Sequence, residues 1–298
     1  MTQPVLETRD LSGITSEGHK IKNINLELMS KETLVLIGEN DSYQKAFIST
    51  MAGTATNIKG DLLLNGNSII NTLKGNNLSE ILFLFQTPCL IDKFTVAENL
   101  SYFNIPEKKN IPLISWKQIN SKAKKIISEL GLNFEYNTRV FDLSDEKKRF
   151  VEIARVLLNN PQVAIMYEPS ESLSSKGISK FHKALDFYKE QGGSIIYITT
   201  KWEEALKIAD KISVLKSDSV TKFLTAQEVK KNPKKLLNML NNYSSNNSEE
   251  DGESTEFIDA IFEASKFLTS EHELKDVLLL LAKHITKIMN ADSCIIDL

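Results

Sequence analysis

Short apolar runs alternate with amphipathic stretches from the N-terminus to about Leu224. Leu34-Val35-Leu36-Ile37 ends in Gly38 and a polar turn, and Ala46–Met51 then reads as a helix. Ile81–Phe85 reads as a strand. Lys122–Leu130 and Glu152–Leu158 place apolar residues at helical spacing, and Asn159-Asn160-Pro161 stops the second. Val163–Met166, Ser194–Ile198 and Ile212–Leu215 read as buried strands. Strands alternating with helices predict an α/β domain around a largely parallel sheet.

The pattern changes near residue 240. The stretch 241–255 is rich in Asn, Ser and Glu, cannot bury apolar surface, and reads as a flexible linker. Beyond it, Phe257, Ile258, Ile261, Phe262 and Ala264 recur at helical spacing, as do residues from Val277 to Ile288, and Asp292–Leu298 looks like the start of a strand. A tail of this length is too short for an independent core of typical size, about 100–150 residues. The reading is therefore a domain over 1–240, a linker over 241–255 and a partial domain over 256–298.

Composition narrows the function classes only modestly. The chain has 298 residues, 41% hydrophobic and 25% charged, with a formal net charge of -3, so there is no overall basic field for nucleic acid. Cys89 and Cys294 are the two cysteines, which argues against a disulfide framework and a structural zinc site and fits a reducing cytoplasm. Met1–Asp10 carries no signal-peptide core, and no apolar run reaches bilayer-spanning length. His19, His182, His272 and His284 suggest no metal site; His272 and His284 fit helix surfaces.

Candidate chemistry begins where the strand over 34–37 meets a helix. A phosphate-binding loop needs that context: glycines let backbone N–H groups approach the phosphates, a lysine reaches the terminal ones, and a hydroxyl binds magnesium. Here the stretch runs Gly38-Glu39-Asn40-Asp41-Ser42-Tyr43-Gln44-Lys45-Ala46-Phe47. It resembles the loop of the ABC-transporter ATP-binding cassette, especially that of sugar importers, in ungapped register from Gly38 to Ala52-Gly53. Tyr43 stands at a glycine position, Gln44 at the lysine and Lys45 at the hydroxyl. Lys45 is turned by about 100° from the lysine's place on a helix of ~3.6 residues per turn and is a poor substitute.

The resemblance covers about residues 5–224 and rests on the order of its stations. Leu84-Phe85-Gln86-Thr87-Pro88, followed by Phe94-Thr95-Val96-Ala97-Glu98-Asn99-Leu100, looks like the Q-loop and the entry to a helical subdomain. Asp142-Leu143-Ser144-Asp145-Glu146-Lys147 stands at the signature, with acids at both glycine positions. Two like charges at 4 Å repel by about 4 kcal/mol at an effective dielectric of 20, so acids there oppose a phosphate, while they suit the helix dipole. Val163–Pro169 looks like the Walker B strand, with Tyr167 for the magnesium aspartate and Glu168 at the general-base position. Ser174 replaces the D-loop aspartate, Thr200 the switch histidine, and Thr15 falls at the adenine-stacking aromatic.

The resemblance implies a P-loop NTPase-like α/β cassette with a mostly parallel core sheet, an antiparallel β subdomain and a helical subdomain. Its nucleotide stations (Gly38, Asn40, Gln44, Lys45, Ser144 and Tyr167) and its catalytic ones (Gln86, Glu168 and Thr200) are expected to be vestigial, with no metal and no cofactor bound. The segments Ile261–Leu268, Glu273–Leu278 and Ala291–Ser293 resemble the first helices and strand of a GAF sensor domain, as in sensor histidine kinases. The expectation is therefore a cytoplasmic, non-catalytic docking domain of a GAF-containing signalling protein. Its partner would be a second copy, as a homodimer, or an ABC permease at the inner membrane. The alternative is the ATP-binding subunit of a sugar ABC importer that still binds Mg-ATP.

Overall fold

A computed structural model describes residues 3–38, 41–70, 80–102, 107–108, 111–216, 220, 223–231 and 236. The chain divides into two compact units, Met1–Lys231 and Asn232–Leu298. In the second, Leu236 is the described residue, so the expected linker and GAF start lie outside the described residues.

The first unit opens with strands β1 (Leu6–Ile14), β2 (Lys20–Leu28) and β3 (Thr33–Ile37), then helix α1 (Asp41–Met51). Strands β4 (Thr56–Leu64), β5 (Asn67–Ser68) and β6 (Ile81–Leu84) lead to the short helix α2 (Val96–Ser101). A hairpin of β7 (Glu107–Lys108) and β8 (Ile111–Ile114) precedes helices α3 (Trp116–Glu129) and α4 (Asp145–Asn159). The chain then runs through β9 (Val163–Tyr167), α5 (Ser175–Glu190), β10 (Ser194–Thr199), α6 (Trp202–Ile208), β11 (Lys211–Val214), β12 (Leu224–Thr225) and α7 (Ala226–Lys231).

Three layers follow from the burial pattern. The central sheet has the order β12-β11-β3-β10-β9-β6, parallel from β11 to β6, with β12 antiparallel at its edge. Every residue of β3, β9 and β10 is buried, the mark of strands covered on both faces. This is why their sequences are continuous apolar runs. A second, antiparallel sheet has the order β2-β1-β4-β5, and it shares one core with α1 and the central sheet through Leu6, Ile24, Phe47, Met51 and Ile196. A smaller core joins α2, α3 and α4 through Val96, Leu100, Ile119, Ala123, Ile126 and Val151. The expected α/β cassette with an antiparallel sheet and a helical part is therefore present.

The helix ends have local causes. Asn160 adopts φ 41 and its N–H bonds the Val156 carbonyl, so α4 ends on a left-handed cap just before Pro161. Thr95 and Glu98 form a reciprocal capping box at α2. Thr95→Ala removes one side of that box and is expected to lower stability by about 1 kcal/mol. The urea midpoint checks this, and an unchanged midpoint would show that the α2 entry is held by its tertiary backbone bonds alone.

Candidate nucleotide site

Parallel register brings the candidate residues to one edge. Ile37 is paired with Thr199, and Tyr167 with Ile198, so β3, β9 and β10 end side by side. Ligands of open α/β sheets sit outside such carboxyl ends. Gly38, Gln44, Lys45, Tyr167, Glu168 and Thr200 therefore belong to one neighbourhood, as the motif order implies. Glu39 and Asn40 lie outside the described residues.

Gln44 is fully buried and turns back into the loop, where its Nε2 donates to the Gly38 carbonyl at 2.6 Å. Gly38 has no room for a side chain, because a Cβ there would lie 2.6 Å from that same nitrogen. The amide oxygen of Gln44 has no hydrogen-bond partner among the described residues. A buried acceptor left in this state costs about 1–3 kcal/mol.

Asp41 joins the next two substitutions. Lys45 Nζ lies 2.5 Å from Asp41 Oδ2, and the Tyr167 hydroxyl donates to Asp41 Oδ1. Burial pushes the Asp41 carboxyl upward, but hydrogen bonds from Lys45 and Tyr167 and the Lys45 charge outweigh it, so the carboxyl titrates below its usual range. The hydrogen bond to Asp41 raises Lys45. Burial, then the Asp41 bond and charge, push the Tyr167 phenol well above its ordinary value. The three groups thus form a clasp of ammonium, carboxylate and neutral phenol.

Glu168 is buried at φ 43, a strained setting for a non-glycine residue at the strand end. Its Oε1 accepts from the Thr200 N–H at 2.5 Å and its Oε2 from the Thr199 hydroxyl at 3.0 Å. Thr200 therefore contributes a backbone donor where the family pattern has an imidazole.

Ser144 and Gln86 serve other contacts. Ser144 caps α4 by accepting from the Lys147 N–H. Glu146 Oε1 accepts from the Ser174 hydroxyl at 2.7 Å and from its N–H at 3.2 Å. Gly177 makes room for that carboxylate, since a Cβ there would lie 2.2 Å from Oε1. Glu146, one of the two signature acids, is thus tied within the chain, a link from α4 to α5 that sequence spacing does not reveal. The Gln86 carbonyl accepts from Arg149, whose guanidinium is held by Glu152 at 2.7 Å. His182 pairs with Glu204 at 3.0 Å.

Magnesium does not fit this donor set. Mg²⁺ demands hard, usually anionic, oxygen ligands. The position of the magnesium aspartate carries a phenol held neutral, the hydroxyl position carries an ammonium, and Asp41 is already paired with both. Among the described residues no group of three or more His, Cys, Asp or Glu is placed to hold a metal.

A family model described as ABC transporter matches residues 21–171. The chain belongs to the ABC transporter family. The ribose import ATP-binding protein RbsA of Shigella dysenteriae serotype 1 is 29% identical over 238 residues, covering 80% of this chain and 47% of that protein. The D-allose import ATP-binding protein AlsA of Escherichia coli K12 is 27% identical over 223 residues, covering 74% and 44%. The chain spans about half the length of these curated relatives. Its fold is that of a nucleotide-free ATP-binding cassette from an ABC transporter, with a TM-score of 0.63 at 21% identity over 77% of this chain and 94% of that one.

These relatives correct one expectation. A non-catalytic docking domain of a GAF-containing signalling protein, or of a histidine kinase, is overturned by alignments that run through the whole cassette to sugar-import ATP-binding proteins. The error came from weighing lost side chains at the site and a short GAF-like tail above the continuous match of strands and helices.

Proposed function

We propose that this chain is an ATP-binding cassette of a carbohydrate importer, binding nucleotide at the β3–α1 turn on the cytoplasmic side of a permease. The observation that carries the reading is the 238-residue match to a ribose import ATP-binding protein. The departures in the site bear on how nucleotide is held. A helix N-terminus attracts phosphate without a metal, and Lys45 offsets the opposing charge of Asp41 in the first turn of α1. Nucleotide binding in this cassette is thus independent of magnesium.

Docking to the permease is supported by an exposed apolar patch after Gln86. Ile91, Phe94 and Phe141 are 36%, 38% and 72% exposed. They sit together because Phe94 N–H bonds the Ile91 carbonyl, Val140 N–H the Phe94 carbonyl, and Phe141 N–H the Asp92 carbonyl. Clusters of this kind mark protein-interaction surfaces. No helix among the described residues is long and apolar enough to cross a membrane.

The test is titration with a fluorescent ATP analogue in magnesium and in EDTA. The expected Kd values agree within about twofold, less than about 0.5 kcal/mol. A tenfold gain with magnesium would overturn the metal-independent reading, and no binding at millimolar analogue would overturn nucleotide binding itself.

A further inference from the structure

A cavity of about 710 Å³ lies away from the β3–α1 turn, between the ends of α3 and α4 and one face of α5. Its volume falls within the roughly 300–1,000 Å³ typical of small-molecule sites. The apolar part of its lining is Ile126 and Leu130 from the end of α3, Leu157 from α4, and Phe187 from α5. Phe187 is 45% exposed, an unusual cost for a phenyl ring on a helix that otherwise buries its aromatic residues Phe181 and Tyr188.

The lining is also cationic. Lys176, Lys180 and Lys183 line the cavity at positions i, i+4 and i+7 of α5, so they form one ridge, with the Ser179 hydroxyl between them. The one acidic residue of the lining, Glu129, lies 3.7 Å from Lys125, outside the lining, and is already paired. Lys180 Nζ donates to the neutral Gly131 carbonyl at 2.9 Å, which fixes its position without cancelling its charge. The cavity therefore holds three positive charges with no unpaired acid in its walls, beside an apolar face with an exposed ring.

We propose that this cavity is a binding site for a small organic phosphate: a phosphate monoester whose aromatic or alkyl body lies on Leu157 and Phe187. Several ammonium groups on one ridge suit a dianion, and lysine binds phosphate as a point charge. The apolar wall discriminates the ester from free phosphate by burying its body. The site is built from α3, α4 and α5, so it is separate from the nucleotide stations and does not rest on the importer reading. Occupancy would brace the helical part, which carries α3, against the core helix α5.

Isothermal titration of the full chain with phenyl phosphate tests this, with inorganic phosphate and anionic phosphatidylglycerol vesicles as parallel arms. The expected result is a sub-millimolar Kd for phenyl phosphate and at least tenfold weaker binding of inorganic phosphate. The Lys176→Gln/Lys183→Gln variant is expected to lose at least tenfold, and Phe187→Ser to erase the preference for the ester while keeping the fold. Both variants leave binding of the ATP analogue unchanged, so failure here and failure of the importer reading show separately. No binding of phenyl phosphate, equal binding by the lysine variant, displacement by the ATP analogue, or binding to vesicles alone would overturn the proposal.

Discussion

Glu152→Ala is expected to cost the folded protein about 3–5 kcal/mol, the usual result of removing one partner from a buried ion pair. Glu152 and Arg149 are fully buried, and Arg155 nearly so. Glu152 Oε2 lies 2.7 Å from Arg149 Nη1, while Oε1 lies 3.3 Å from Arg155 Nη2 and accepts the Cys89 N–H at 2.8 Å. The two guanidiniums reach on to the Gln86 and Cys89 carbonyls. One carboxylate therefore faces two buried cations, leaving the cluster one positive charge in excess, and ties α4 to the segment after β6. Burial alone pushes Glu152 up and both arginines down from their ordinary values, which is the sign of charges held together at a desolvation cost. Alanine would remove the carboxylate that both buried guanidiniums face. The urea midpoint reads the loss. A combined Arg149→Met/Glu152→Leu/Arg155→Met variant should recover much of it, because an apolar replacement of a whole buried cluster removes the desolvation cost together with the attraction. A single Glu152→Ala cost below about 1 kcal/mol would mean that water reaches the triad.

How much of this was legible depended on which forces left a local trace. β3, β9 and β10 were readable because burial on both faces writes a nearly continuous apolar run. The antiparallel strands β1, β2 and β4 were not read from periodicity. β2 alternates from Ile24 to Leu28 but breaks at Asn23, at φ 49, and β1 carries register shifts between Thr8 and Leu11 and between Leu11 and Gly13, with Asp10 at φ 49; such a bulge breaks the period of two. In the site, the lost side chains were visible as departures from a motif. What replaced them was only half visible. Asp41 and Lys45 are a helical i,i+4 pair that spacing reveals. The Tyr167 partner is 126 positions away and no local rule reaches it. Glu146 showed as an acid at a helix start, while its bond to Ser174 depends on how α4 and α5 pack. The triad of Arg149, Glu152 and Arg155 has legible spacing, but its burial, which sets its energy, does not show in sequence.

Gln44→Lys, Lys45→Thr and Tyr167→Asp introduced together are expected to make nucleotide binding magnesium-dependent, whereas Gln44→Lys alone leaves it independent of magnesium. The argument starts from Asp41, which holds both Lys45 and Tyr167. In the single variant that clasp is intact. The new ammonium enters a loop whose carboxylate is already paired, and the metal position still carries a phenol. In the triple variant Asp41 loses both partners and faces a second carboxylate at the end of β9. Two such charges at 4 Å repel by about 4 kcal/mol at an effective dielectric of 20, and a divalent cation relieves that repulsion while bridging to phosphate. The Gln44→Lys change also removes the amide oxygen now buried without a partner among the described residues. The ratio of Kd in EDTA to Kd in magnesium should rise from within about twofold to at least tenfold, about 1.4 kcal/mol or more. The same fluorescent ATP analogue measures it. A tenfold magnesium dependence in Gln44→Lys alone would show that the Asp41 clasp is no barrier, and a triple variant without it would place the obstacle in the loop backbone around Gly38 instead of in these three side chains.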